Sequence, residues 1–98
     1  MRKILLVLSC AINTFVWSQQ SEAVLGIVEN ENTQLSMETV HVLNLTQVIG
    51  TTTDRSGKFE LPAALNDTLY FSYLGYKPLK VAVTSDMLKF KNTKFRLT

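Results

Sequence analysis

Ninety-eight residues allow one domain at most, with a core that hides only about 60–65 % of the unfolded surface. Ten basic residues against eight acidic ones give a formal net charge of +2, and no basic cluster of the kind that draws nucleic acid. A single cysteine excludes an internal disulfide.

The chain opens "MRKILLVLSCAINTFVWSQQ": Arg2 and Lys3, an apolar run from Ile4, then the small residues Val16 and Ser18 flanking Trp17. This is the order of a secretory signal peptide, predicted over residues 1–18 with cleavage between Ser18 and Gln19. The run is too short and too interrupted to span a bilayer comfortably. Cys10, in "VLSC", loosely resembles a lipoprotein cleavage box. A cut there leaves only Ile4 to Leu8 as the apolar region, so Cys10 is expected to depart with the signal. Loss of Arg2 and Lys3 leaves eight basic residues against eight acidic, a neutral mature chain without cysteine or transmembrane segment. Its charge is uneven: five acids and no Lys or Arg from Gln19 to Asp54, then eight basic residues from Arg55 onward.

Alternation of period two marks the rest as strands, because successive side chains point to opposite sheet faces. The predicted strands are Val24–Val28, Thr39–Leu45, Val48–Thr53, Phe59 with Leu61, Leu69–Tyr73, Leu79–Val83 and Phe95 with Leu97. Strand 39–45 is ambiguous, since Val40 and Val42 oppose Leu43 and Leu45; a bulge or burial on both faces would resolve it. In "TDRSGKF", Asp54 starts a turn and Gly57 closes it in the left-handed region. "TSDML" suits one helical turn capped by Thr84, Ser85 or Asp86. Seven short strands at regular spacing predict an all-β, seven-stranded antiparallel β-sandwich over residues 19–98.

The stretch "DTLYFSYLGYKPLKVAV" poses a choice between an aromatic binding platform and a core strand. Leu69, Phe71 and Tyr73 share a face and are expected to pack on the opposite sheet. Gly75 lets the chain bend, and Tyr76 is expected to cover the sandwich edge with its hydroxyl in water. Tyr70, on the outward face, is a candidate contact residue.

Gly26 and Val28, Val40 and Val42, "GTTTDRSGKF" from Gly50 through Asp54 and Gly57 to Phe59, and "DTLYFSYLGY" from Asp67 through Leu69, Phe71 and Gly75 to Tyr76 follow one family pattern. The chain resembles the carboxypeptidase regulatory-like domain, a transthyretin-like (prealbumin-like) Greek-key sandwich frequent in exported proteins of Bacteroidetes. The opening "VENENTQLSMETV" departs from that pattern by lacking a glycine and proline before the second strand. The resemblance implies positioning or contact roles rather than chemistry. Such domains stand beside metallocarboxypeptidase catalytic domains, extend the N-terminus of TonB-dependent outer-membrane receptors, and occur in short exported proteins. The chain stops at "FRLT", about where the family's last strand ends, and a specific version of the expectation makes it the detached or truncated extension of a TonB-dependent receptor.

A direct search for chemistry agrees. His41 is the one histidine and has no acidic or histidine neighbour at ligand spacing, so no metal or other cofactor is predicted. No serine or cysteine has a sequence partner to activate it, and the four glycines lie too far apart for a phosphate loop. "NLT" at Asn44 and "NDT" at Asn66 match an N-glycosylation pattern, and "DTL" a short O-glycosylation signal, but turn and strand roles account for all three. The expectation is a non-catalytic exported module that contacts a protein partner in the periplasm or at the outer membrane. The alternatives are a carbohydrate- or peptide-binding module using Tyr70, Tyr73 and Tyr76, and an accessory domain of a peptidase.

Overall fold

The computed structural model describes residues 22–98; the expected signal peptide, with its cut at Ser18 and Gln19, lies outside the described residues. Seven strands follow: β1 (Ala23–Asn30), β2 (His41–Asn44), β3 (Ile49–Thr52), β4 (Lys58–Pro62), β5 (Thr68–Ser72), β6 (Leu79–Ala82) and β7 (Thr93–Leu97). One short helix, α1 (Ser85–Lys89), separates β6 from β7. Thr84 caps it, its hydroxyl accepting the Met87 N–H at 3.4 Å.

The strands form two sheets, a three-stranded one in the order β4-β1-β7 and a four-stranded one in the order β3-β2-β5-β6. Alternation dictates what lies between them. Val24, Val28, Val42, Leu61, Leu69, Phe71 and Leu97 point inward and are buried, while Lys58, Glu60, Lys80 and Arg96 point outward. Each such fully buried Val, Leu or Phe contributes about 1.5–3 kcal/mol. Phe59, Phe71 and Phe95 meet at the centre: Phe71 stacks on Phe95 at 4.6 Å between centroids, and Phe59 meets Phe71 edge-on at 5.6 Å.

The sandwich is not purely antiparallel, contrary to the sequence expectation. β1 pairs antiparallel with β4 but parallel with β7, Val28 lying opposite Phe95. Period-two alternation carries no information on strand direction, so this was invisible in sequence. The cause is the route of the chain. Ala63 donates to the carbonyl of Glu22, and Asn66 to that of Val83, so β1 begins at the end where β6 finishes. α1 turns the chain there onto the free edge of β1, and β7 must run the same way as β1. Glu29 of β1 faces two cations of β7, Lys94 Nζ at 3.8 Å and Arg96 Nε at 3.6 Å.

One further expectation is met and another corrected. The ambiguous strand has a bulge at its start: Thr39, at φ +64°, donates to the Thr53 carbonyl while the Val40 carbonyl accepts the Thr53 amide, two residues opposing one. Beyond it Val40, Val42 and Asn44 face inward, Leu43 is half-buried on the outer face, and Leu45 is exposed in the turn. Tyr73 is not a core residue; β5 ends at Ser72, and Tyr73 stands 37 % exposed, edge-on to Tyr76 at 5.6 Å. The turn that Gly75 makes possible, with φ +87°, starts one residue earlier than strand alternation alone suggests.

Candidate functional site

Four groups of side chains stand out, of which the most extensively hydrogen-bonded is centred on Asp67. Asp67 lies in the loop before β5, and its Oδ2 accepts from Asn44 Nδ2 at 2.9 Å, Gln47 Nε2 at 2.7 Å and the Ala64 amide at 2.9 Å. Asn44 also donates to the carbonyl of Pro62 at 3.1 Å, and its Oδ1 accepts the amides of Thr46 and Gln47. The cluster therefore ties the β2–β3 turn to the β4–β5 loop. The Asn44 hydrogen bond, then the Ala64 amide, with Gln47 behind them, outweigh the cost of partial burial and hold the Asp67 carboxyl below its ordinary 3.8. Sequence reading gave Asp67 a turn role and missed Asn44 and Gln47, which were visible only as a glycosylation-like triplet and its neighbour.

A second group fixes the β3–β4 turn. Asp54 Oδ1 accepts the amides of Ser56 at 2.8 Å and Lys58 at 2.9 Å, and Gly57 adopts φ +75°. Gly57 has a second constraint that the sequence did not reveal. A Cβ there would stand 2.6 Å from the Val28 carbonyl, which receives the Met37 amide. Beside this turn, the buried Thr53 hydroxyl donates to the Met37 carbonyl at 2.6 Å and accepts the Val40 amide at 2.9 Å. Gly26 is likewise a close-approach residue, since a Cβ would meet the rings of Phe95 and Phe59 at 2.6 and 2.7 Å.

The third group is aromatic. Tyr73, Leu74, Gly75 and Tyr76 line an open cleft with Thr39, His41 and Ser72. Leu74 is 96 % exposed at its tip. The Tyr76 hydroxyl accepts from Asn30 Nδ2 at 2.8 Å, a partner that the sequence did not reveal. Tyr70 is half-buried on the outer face of the four-stranded sheet, between Leu43 of β2 and Lys80 of β6. Leu69 and Phe71 are fully buried. His41 is exposed on β2, opposite Thr52 and Ser72. Among the described residues, no three His, Cys, Asp or Glu come together as a metal ion would require.

The fourth group is apolar and was missed. Leu43, Leu45, Val48, Ile49 and Gly50 line a shallow cavity of about 230 Å³ at the β2–β3 turn. Val48 is 86 % exposed and holds φ +57°, a region in which a β-branched side chain is an outlier. The signal was present as "LNLTQVIG", where apolar residues persist through a turn instead of giving way to polar ones.

A comparison with family models returns the CarboxypepD_reg-like domain, matched over residues 24–98. The chain belongs to this family. The CarboxypepD_reg-like match starts at Val24, the first inward residue of β1, and runs through both sheets. The family is a non-catalytic, regulatory-like domain, and the two-sheet, mostly β architecture agrees with it. No curated protein and no solved structure matches the chain. No helix among the described residues is long and apolar enough to cross a membrane.

Proposed function

We propose that this CarboxypepD_reg-like chain is an exported, non-catalytic β-sandwich module that positions or contacts another protein in the periplasm or at the outer membrane. The observation that carries the reading is the family match across residues 24–98. The site geometry supports it. The buried Asn44, Asp67 and Thr53 side chains are engaged in fixing loops, and the described surface includes apolar or aromatic contact area, at Leu45, Val48, Tyr73 and Leu74 among others. In its specific form, the module is the N-terminal extension of a TonB-dependent receptor, or a detached relative of one.

The test is the intact mass of the native species in separated periplasmic and outer-membrane fractions, followed by cross-linked pull-down. A species starting at Gln19 that captures one protein stoichiometrically supports the reading. A species retaining residues 1–18, or one that captures nothing, overturns it.

The cleft between Tyr73, Tyr76 and His41 favours a second reading, a glycan- or peptide-binding module. Quenching of tyrosine emission by a soluble glycan would support it. Unchanged emission across a glycan panel, with Tyr73 accessible to acrylamide, would sink it.

A further inference from the structure

The two sheets present four edges, β3 and β6 on one and β4 and β7 on the other. An edge strand exposes unpaired backbone N–H and C=O groups, and proteins guard such edges with charge or proline. β4 carries Lys58 and Glu60 and ends on Pro62. β6 follows Pro78 and carries Lys80, and β7 carries Lys94 and Arg96. β3, which reads Ile49-Gly50-Thr51-Thr52, carries neither a charge nor a proline.

Its free groups can be named. Thr53 gives its amide to the Val40 carbonyl at 3.0 Å and its carbonyl accepts the Thr39 amide at 3.0 Å. By the alternation of an antiparallel strand, Gly50 and Thr52 then turn their N–H and C=O groups away from β2. The apolar cavity of Leu43, Leu45, Val48 and Ile49 opens at the start of this same edge. Gly50 makes both features compatible: a Cβ there would stand 2.5 Å from Leu43 Cδ2, so its absence lets Leu43 lie across β3. An open edge beside a pocket for one side chain is the combination by which proteins add an extended segment to a sheet, the backbone giving affinity and the pocket selectivity.

We propose that β3 accepts an extended, uncharged segment of another protein as a fifth strand of the four-stranded sheet, with an apolar side chain of that segment seated against Leu45 and Val48. The proposal rests on the reading of the chain as a contact module and names the surface and the chemistry of its partner. Charge selects this occupant. A charged segment would bury its charge against the apolar cavity without a counterion. A second copy fits poorly for the same reason. Antiparallel pairing of β3 with itself through these outward groups, Gly50 opposite Thr52, brings Asp54 of one copy to Val48 of the other and Arg55 to Gln47. The charged turn of each copy would then lie along the other's apolar tip. An uncharged strand has neither cost.

The test is an NMR titration with amide exchange on the full exported chain. The probe is a capped peptide of alternating Val and Thr, about six residues long, with an Asp-for-Val version as control. The neutral peptide is expected to shift the Gly50 and Thr52 amides and slow their exchange about tenfold, and the Asp version is not. Thr52→Pro removes an outward N–H without touching the β2 ladder, and is expected to weaken binding about tenfold. Val48→Asp charges the cavity rim and is expected to weaken it similarly while leaving the backbone edge intact.

The proposal is overturned if neither peptide moves Gly50 and Thr52, or if binding survives Val48→Asp or a folded Thr52→Pro. It is also overturned if those amides are already protected without peptide, by a second copy or by the chain's own leading residues. A native partner captured equally by wild type and Thr52→Pro overturns the β3 assignment and leaves the contact reading standing. Capture by neither overturns that reading as well.

Discussion

Asn44 and Asp67, far apart in the chain, meet side chain to side chain at 2.9 Å, and through them the turn after β2 is tied to the loop before β5. Asn44 is fully buried, and its amide and carbonyl are both engaged. Asn44→Ala removes this tie and leaves the turn amides of Thr46 and Gln47 without their acceptor. A loss of about 1–3 kcal/mol is expected, read as a lower urea midpoint with an unchanged slope.

The same carboxylate makes the fold acid-sensitive in a defined window. Asp67 titrates below its ordinary 3.8 when folded, because Asn44 and the Ala64 amide favour the charged form. A depressed folded value means that the contribution is full above the unfolded value and is lost as pH falls through the folded one. Stability measured from about pH 6 down to about pH 2 should therefore decline through that range. Asp67→Asn should flatten that decline; an unchanged acid limb would assign the sensitivity to other carboxylates.

Gly26 carries the aromatic core on β1. Gly26→Ala pushes a methyl into the rings of Phe95 and Phe59, neither of which is a freely movable end. Overpacking of this kind costs about 1–3 kcal/mol, and a melting temperature equal to that of wild type would show that the rings shift freely.

Val48 predicts the opposite sign. It is exposed and left-handed, an arrangement that disfavours a β-branched residue by about 1–2 kcal/mol. Val48→Asn should raise the urea midpoint by roughly half of that amount or more, since Asn tolerates this region. The same substitution should weaken attachment of an apolar strand at β3. A residue that lowers stability while raising contact is a mark of interface over scaffold.

Trp17 is the one tryptophan in the chain. The proposed cleavage between Ser18 and Gln19 would remove it, and protein processed in that way should fluoresce as a tyrosine-only species. Tryptophan emission from the purified native protein would place the cut elsewhere or show that none occurs.

The layers of this fold were legible because they depend on alternation alone. Leu69 and Phe71 inward, Tyr70 and Lys80 outward, and the Asp54–Gly57 turn all follow from spacing and from what Asp and Gly do in turns. The parallel pairing of β1 with β7 was not legible, because a strand's side-chain pattern is the same whichever way its neighbour runs. Tyr73 misled for a related reason: alternation continued through it while the backbone had already left the sheet. The Asn44–Asp67–Gln47 cluster needed knowledge of which loops share an end of the sandwich. The apolar tip was written in "LNLTQVIG", but the exposure of Val48 emerges only once the turn is placed.

The contact of Gly26 with Phe59 and Phe95 has a spectroscopic consequence. One of its α-hydrogens occupies the direction in which a side chain would start, aimed at carbons of both rings. Circulating π-electrons shift a proton held so close well away from its ordinary resonance frequency. Phe59 and Phe95 flank Gly26 from β4 and β7, so that displacement exists only while the three strands of this sheet are paired. A single glycine signal, separate from the crowded α-proton region, thus reports whether β4 and β7 are both seated on β1, in a dilute tube or inside an intact envelope.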